Sequence, residues 1–166
     1  LKSHEAVDLL VIMLGTNDLL NGDNPSEIAR KMERFLSTLE MENVILIAPP
    51  HLSRGEWVTG DGLIRRSEAL AEEYRAVALR MAIPFLDAGE WNVPLCYDGV
   101  HFTEIGHRVF AEHVCAAIES ATEKGQGLPA ANFGRLLQRQ GSSSYFPGKS
   151  TPVPNVPRFS ENKYKF

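Results

Sequence analysis

The apolar positions of this chain fall in short continuous runs separated by stretches of helical period. VDLLVIML (7–14) is apolar at nearly every position, as a strand covered on both faces must be. NVILIA (43–48) and IPFLDA (83–88) repeat the pattern, and Pro49-Pro50 stops the first of these two. Between the runs the spacing becomes helical. Asn24 can cap a helix, Pro25 suits its first position and Glu27 can complete a capping box. Ile28, Met32, Phe35, Leu36 and Leu39 then share one face. A second helix is predicted over about 65–82, with Leu70, Tyr74, Val77 and Met81 on one side. A third runs from Thr103 to Glu123, with Phe110, Val114, Ala117, Ile118 and Ala121 inward.

Strands alternating with helices predict parallel strands joined by crossovers, hence a layered α/β fold. Three strands are few for a sheet covered on both faces, so further strands are expected upstream of Leu1. From Gly125 the pattern stops. Five prolines (Pro129, Pro147, Pro152, Pro154, Pro157) and the run GSSS at 141–144 follow. Charge changes at the same place. Residues 1–124 carry 11 Lys/Arg against 20 Asp/Glu, and residues 125–166 carry 6 against 1. The chain therefore divides into a folded domain over 1–124 and a basic Pro/Gly/Ser-rich tail over 125–166, expected to be mobile.

Composition narrows the function classes. With 166 residues, 43% hydrophobic, the chain can build one domain with a real core. The tail's cations are scattered, so it reads as a solvated extension rather than a nucleic-acid arm. No apolar run approaches the roughly 18 residues that span a bilayer, so no membrane partner is expected. No signal peptide is visible, and the compartment stays open with the cytoplasm as default. Homo-oligomerisation also stays open. Cys96 and Cys115 form neither a disulfide framework nor a CxxC pair, and read as free buried thiols.

In open α/β sheets, ligands bind beyond the carboxyl ends of the strands. Three loops lie there: GTND (15–18), PPHLSRGEWVTGDGL (49–63) and AGEWNVPLCYDGVHF (88–102). In the third, Asp98 and His101 are three apart. A carboxylate can hold one imidazole nitrogen and leave the other free as a general base. The same spacing also serves a turn that caps a helix. In GTND, Gly15 permits a tight turn, and the Asn17 amide could face a developing oxyanion or merely close an Asx turn. Trp57 and Trp91 could wall a pocket or pack within their loops, and His51 could line it or face solvent. A metal site from Cys96, Asp98, His101 and His107 is conceivable, although the histidines lack HExxH spacing.

GTND after one strand, APP ending the next, then FLDAGE and DGVHFTEIGHRVFAE into the last helix, together resemble the SGNH (GDSL) hydrolase superfamily, and most nearly its arylesterase-type members. The resemblance covers residues 7–121. It implies a three-layer α/β/α flavodoxin-like fold and cofactor-free hydrolysis or transfer of short acyl esters by Ser-His-Asp chemistry. Asn17 would be the oxyanion-hole amide, with Gly15 in the same motif. His101 would be the general base and Asp98 its orienting acid.

The nucleophile departs from that pattern. The family places its Ser in a G-D-S block ahead of GTND, and no G-D-S occurs in this chain. TGDGL (59–63) carries Gly62 where Ser would stand, lies after GTND, and reads as a glycine-rich turn. Ser3 precedes the first strand, and Ser142, Ser143 and Ser144 lie in the tail. No nucleophile is assigned. The expectation is an esterase whose serine lies outside this sequence. The alternatives are a non-catalytic binding module and a subunit completed by another polypeptide.

Overall fold

A computed structural model describes residues 7–40 and 43–122. The expected tail over 125–166, Ser3 and the tail serines lie outside the described residues. Strand β1 (Leu10–Ile12) leads to a short helix α1 (Thr16–Leu20) and then to α2 (Pro25–Ser37). Strand β2 (Val44–Ala48) is followed by α3 (Asp61–Met81), β3 (Phe85–Asp87), a 3-10 turn (Ala88–Trp91) and α4 (Glu104–Thr122). The strands form a parallel sheet in the order β1-β2-β3, with Ile12 beside Leu46 and Leu46 beside Phe85.

Alternation along β2 builds two cores. Val44, Leu46 and Ala48 face Ile28 and Met32 of α2 and Leu70, Tyr74 and Val77 of α3. Ile45 and Ile47 face the other way, onto Trp91, Val93 and Ala117, with Phe110 and Val114 of α4 packed alongside. Helices thus cover both faces of the sheet, and all five β2 residues are buried.

The elements differ from the sequence reading where side chains meet special backbone. β1 is three residues rather than the full run 7–14. Its edge position leaves Val11 and Leu14 exposed, so apolar character there does not mean pairing. GTND opens a helix instead of a simple turn, because Gly15 at φ 115° reverses the chain into α1. Asn24 caps α2 by accepting from the Ser26 N–H at 3.0 Å, while the Glu27 carboxylate pairs forward with Arg30 rather than closing a capping box. Phe35 lies at the margin of the α2 stripe and is exposed. The glycine-rich turn expected at 59–63 is instead the cap and first turn of α3, which begins at Asp61. Cys96 is half-buried and Cys115 exposed, so neither is the buried thiol expected. The side chain of Ala121 lies outside the described residues.

The approach to GTND is fixed from behind. Tyr74, fully buried, donates its hydroxyl to the Leu14 carbonyl at 3.2 Å, and burial pushes its phenol well above the ordinary tyrosine range. A Cβ on Gly15 would stand 2.8 Å from that hydroxyl and 3.0 Å from Leu70 Cδ2. Gly22 shares a positive φ, 95°, but has open space around it. Gly22→Ala should therefore cost about 1 kcal/mol of backbone strain alone. Gly15→Ala should cost roughly 2–4 kcal/mol, because overpacking adds to strain. Urea unfolding of both variants measures the difference, and equal losses would remove Tyr74 as the constraint on this turn.

Candidate active site

The three loops identified from the sequence leave the carboxyl ends of adjacent parallel strands, so they gather at one sheet edge. The loop after β3 folds as a tight hairpin. Leu95 bridges Phe102, the Cys96 N–H donates to the His101 carbonyl at 2.6 Å, and the Gly99 N–H donates to the Cys96 carbonyl at 2.9 Å. Gly99, at φ 81°, makes the tip possible.

Asp98 sits at that tip and is buried. Its Oδ1 accepts the N–H groups of Val100 at 2.8 Å and His101 at 3.0 Å, while Oδ2 meets His101 Nδ1 at 2.7 Å. The His101 N–H, followed by that of Val100, holds the Asp98 carboxyl below the usual carboxylate range. An ionised carboxylate only accepts, so Nδ1 carries a proton, and in the neutral imidazole Nε2 then holds the lone pair. The Asp98–His101 pair therefore leaves Nε2 without a hydroxyl partner among the described residues.

The loop after β2 is pinned to this hairpin by backbone. The Ser53 N–H donates to the Gly99 carbonyl at 3.1 Å, that of Glu56 to Tyr97 at 3.0 Å, and that of Trp57 to Asp98 at 3.1 Å. The two backbones come so close that a Cβ on Gly55 would collide with Asp98 and Gly99, and one on Gly99 with the Ser53 carbonyl. Ser67 of α3 fixes the start of the loop, its buried hydroxyl accepting from the Leu52 N–H at 3.0 Å. Of these residues only Trp57 and Asp98 stood out in the sequence, and neither for a backbone contact. For Ser67, a small polar residue on the apolar stripe of α3 was the available signal.

The remaining predicted residues are placed as follows. Asn17 lies in the first turn of α1, exposed, and its carboxamide bonds no described residue. Trp57 stands beside His101, with ring centroids 5.2 Å apart. Trp91 does not join them. It is buried against α4, stacked on His113 at 4.8 Å and touching Phe110, and burial holds His113 below its ordinary range. His51 is half-buried. Its ring fills the space that a Gly89 side chain would occupy, with Nε2 shielded and unpartnered among the described residues. Asp87 caps the 3-10 turn through the Gly89 N–H and pairs with Arg75 at 3.1 Å, a structural role. Asp18, also in GTND, pairs with Lys31 at 3.5 Å. His107 packs on Phe102 and the Cys96 thiol points to the Phe102 carbonyl, so the conceived metal set does not converge; among the described residues no three ligand-type side chains do.

The family described as "GDSL-like Lipase/Acylhydrolase family" matches residues 1–109. The native aryl esterase of M. smegmatis is similar in structure, with TM-score 0.62 and 29% identity over 71% of this chain and 63% of that one. A carbohydrate acetylesterase from Sinorhizobium meliloti is similar with TM-score 0.54 and 29% identity, over 69% and 63% respectively. This chain thus spans 63% of the length of both. No curated protein matches it.

The lowered Asp98 pKa has a signed consequence. A carboxyl depressed on folding contributes stability above its unfolded pKa, and that contribution disappears as pH falls through the folded value. Asp98→Asn should therefore be less stable than wild type near neutrality, with the gap closing below about pH 4. Thermal melts across pH measure this. A gap independent of pH would mean the carboxylate charge contributes nothing here.

Proposed function

The chain belongs to the GDSL-like lipase/acylhydrolase family, and from that premise we propose that it carries the acid–base half of a serine esterase for short acyl esters. The observation that supports this reading most is the Asp98–His101 pair at 2.7 Å, with two backbone N–H groups completing the carboxylate. In the proposed reaction His101 Nε2 takes the proton of a serine hydroxyl as its oxygen attacks the ester carbonyl. The Asn17 amide donates to the resulting oxyanion. The same imidazole returns the proton to the leaving alcohol, and water repeats the cycle on the acyl-enzyme. Asp98 fixes the tautomer and stabilises the imidazolium.

The serine belongs to a segment outside this sequence, since no G-D-S occurs within it. That segment is either part of the same polypeptide or part of a second one. The aryl esterase and carbohydrate acetylesterase among the structural relatives favour small acyl groups on varied alcohols. That no described residue bonds Nε2 favours a second reading, a non-catalytic module that keeps the fold without turnover.

p-Nitrophenyl acetate separates the two. The chain alone should give background hydrolysis and no fluorophosphonate label. Extended by a segment bearing a G-D-S block, it should turn over and label, and His101→Ala should then cut kcat by about 10³–10⁴. No turnover and no label in the extended protein would favour the binding module. Label and His101-dependent turnover in the short chain would place the nucleophile within it.

A further inference from the structure

Two contacts hold the His101 ring, and only one has been given a role. The bond from Nδ1 to Asp98 at 2.7 Å fixes one atom of the imidazole. It leaves the ring free to swing about that bond, and with 60% of the side chain exposed, packing does little to stop it. The second contact is the indole of Trp57, its plane at 80° to the imidazole and its centroid 5.2 Å away. That is the favourable edge-to-face arrangement of two aromatic rings.

Core burial does not account for Trp57, which is 56% exposed. Its indole N–H bonds no described residue. The backbone sets its place. Gly55 and Val58 exchange N–H···O bonds at 3.2 Å to form the turn that carries it, and the Trp57 N–H donates to the Asp98 carbonyl. Arg54 closes the base of the turn through Asp61 at 2.6 Å. One residue, Asp98, thus bonds the imidazole through its side chain and anchors the backbone of Trp57 through its carbonyl.

We propose that Trp57 is a positioning residue for His101: its indole holds the imidazole in the plane that keeps Nδ1 on Asp98 and Nε2 free for a proton. This rests on the reading of His101 as the general base.

The test reads the ring itself. Nitrogen-15 NMR of the full chain with labelled histidine reports the tautomer of neutral His101 and the exchange of its Nδ1 proton. An unconstrained imidazole favours the Nε2–H tautomer, whereas the Asp98 bond selects Nδ1–H. Trp57→Ala should lower the Nδ1–H to Nε2–H ratio about threefold or more and speed exchange of the Nδ1 proton. Trp57→Phe, which keeps an aromatic ring, should restore most of the ratio. If the alanine variant does not fold, Trp57→Leu is read in its place with the same expectation. A wild-type ratio and exchange rate in the folded alanine or leucine variant would overturn the proposal. No ester turnover is needed. If the protein extended by a G-D-S segment stays inactive while the tautomer change is as expected, the positioning role stands and the hydrolase reading alone fails.

Discussion

The close approach of two loop backbones, Gly55 against Asp98-Gly99, is the constraint on which the rest of the site depends. Neither glycine can carry a side chain without the loops separating. Three N–H···O bonds cross the contact, from Ser53, Glu56 and Trp57 to Gly99, Tyr97 and Asp98. Since these bonds join the loop after β2 to the loop after β3, they convert two mobile connections into one rigid edge above the sheet. The sheet supplies the foundation: β2, buried throughout, delivers the first loop, and β3 delivers the second.

Asp98 shows how that rigidity becomes chemistry. Its carboxylate accepts two backbone N–H groups and the imidazole, so it cannot rotate without losing bonds. Preorganisation of this kind is what a general base requires, because the correct tautomer exists before substrate arrives. The orientation of His101 is therefore a property of the fold rather than of a bound ligand.

Much of the architecture was legible in the sequence. The runs that became β2 and β3 are apolar because both faces are covered, and the stripe of Leu70, Tyr74 and Val77 marks α3 directly. The Asp98–His101 spacing was legible as well, since a three-residue turn is a local feature. What was hidden is long-range. Backbone bonds between 53–57 and 97–99 leave no side-chain signature beyond two glycines among thirteen. His51 read as a loop-edge polar residue because nothing in the sequence shows that Gly89 leaves room for its ring. Trp91 and Trp57 look alike in sequence. The fold turns one into the α4 core and leaves the other beside His101.

Site-resolved amide hydrogen exchange tests the clamp most directly. The N–H groups of Ser53, Glu56 and Trp57 should share the slow exchange of the His101 N–H, which is bound to the Asp98 carboxylate, because all four open only when the two loops part. Exchange of the Glu56 and Trp57 amides at the rate of a free loop, with His101 still protected, would contradict the account: the dyad would then be held by its own hairpin and owe nothing to the loop beside it.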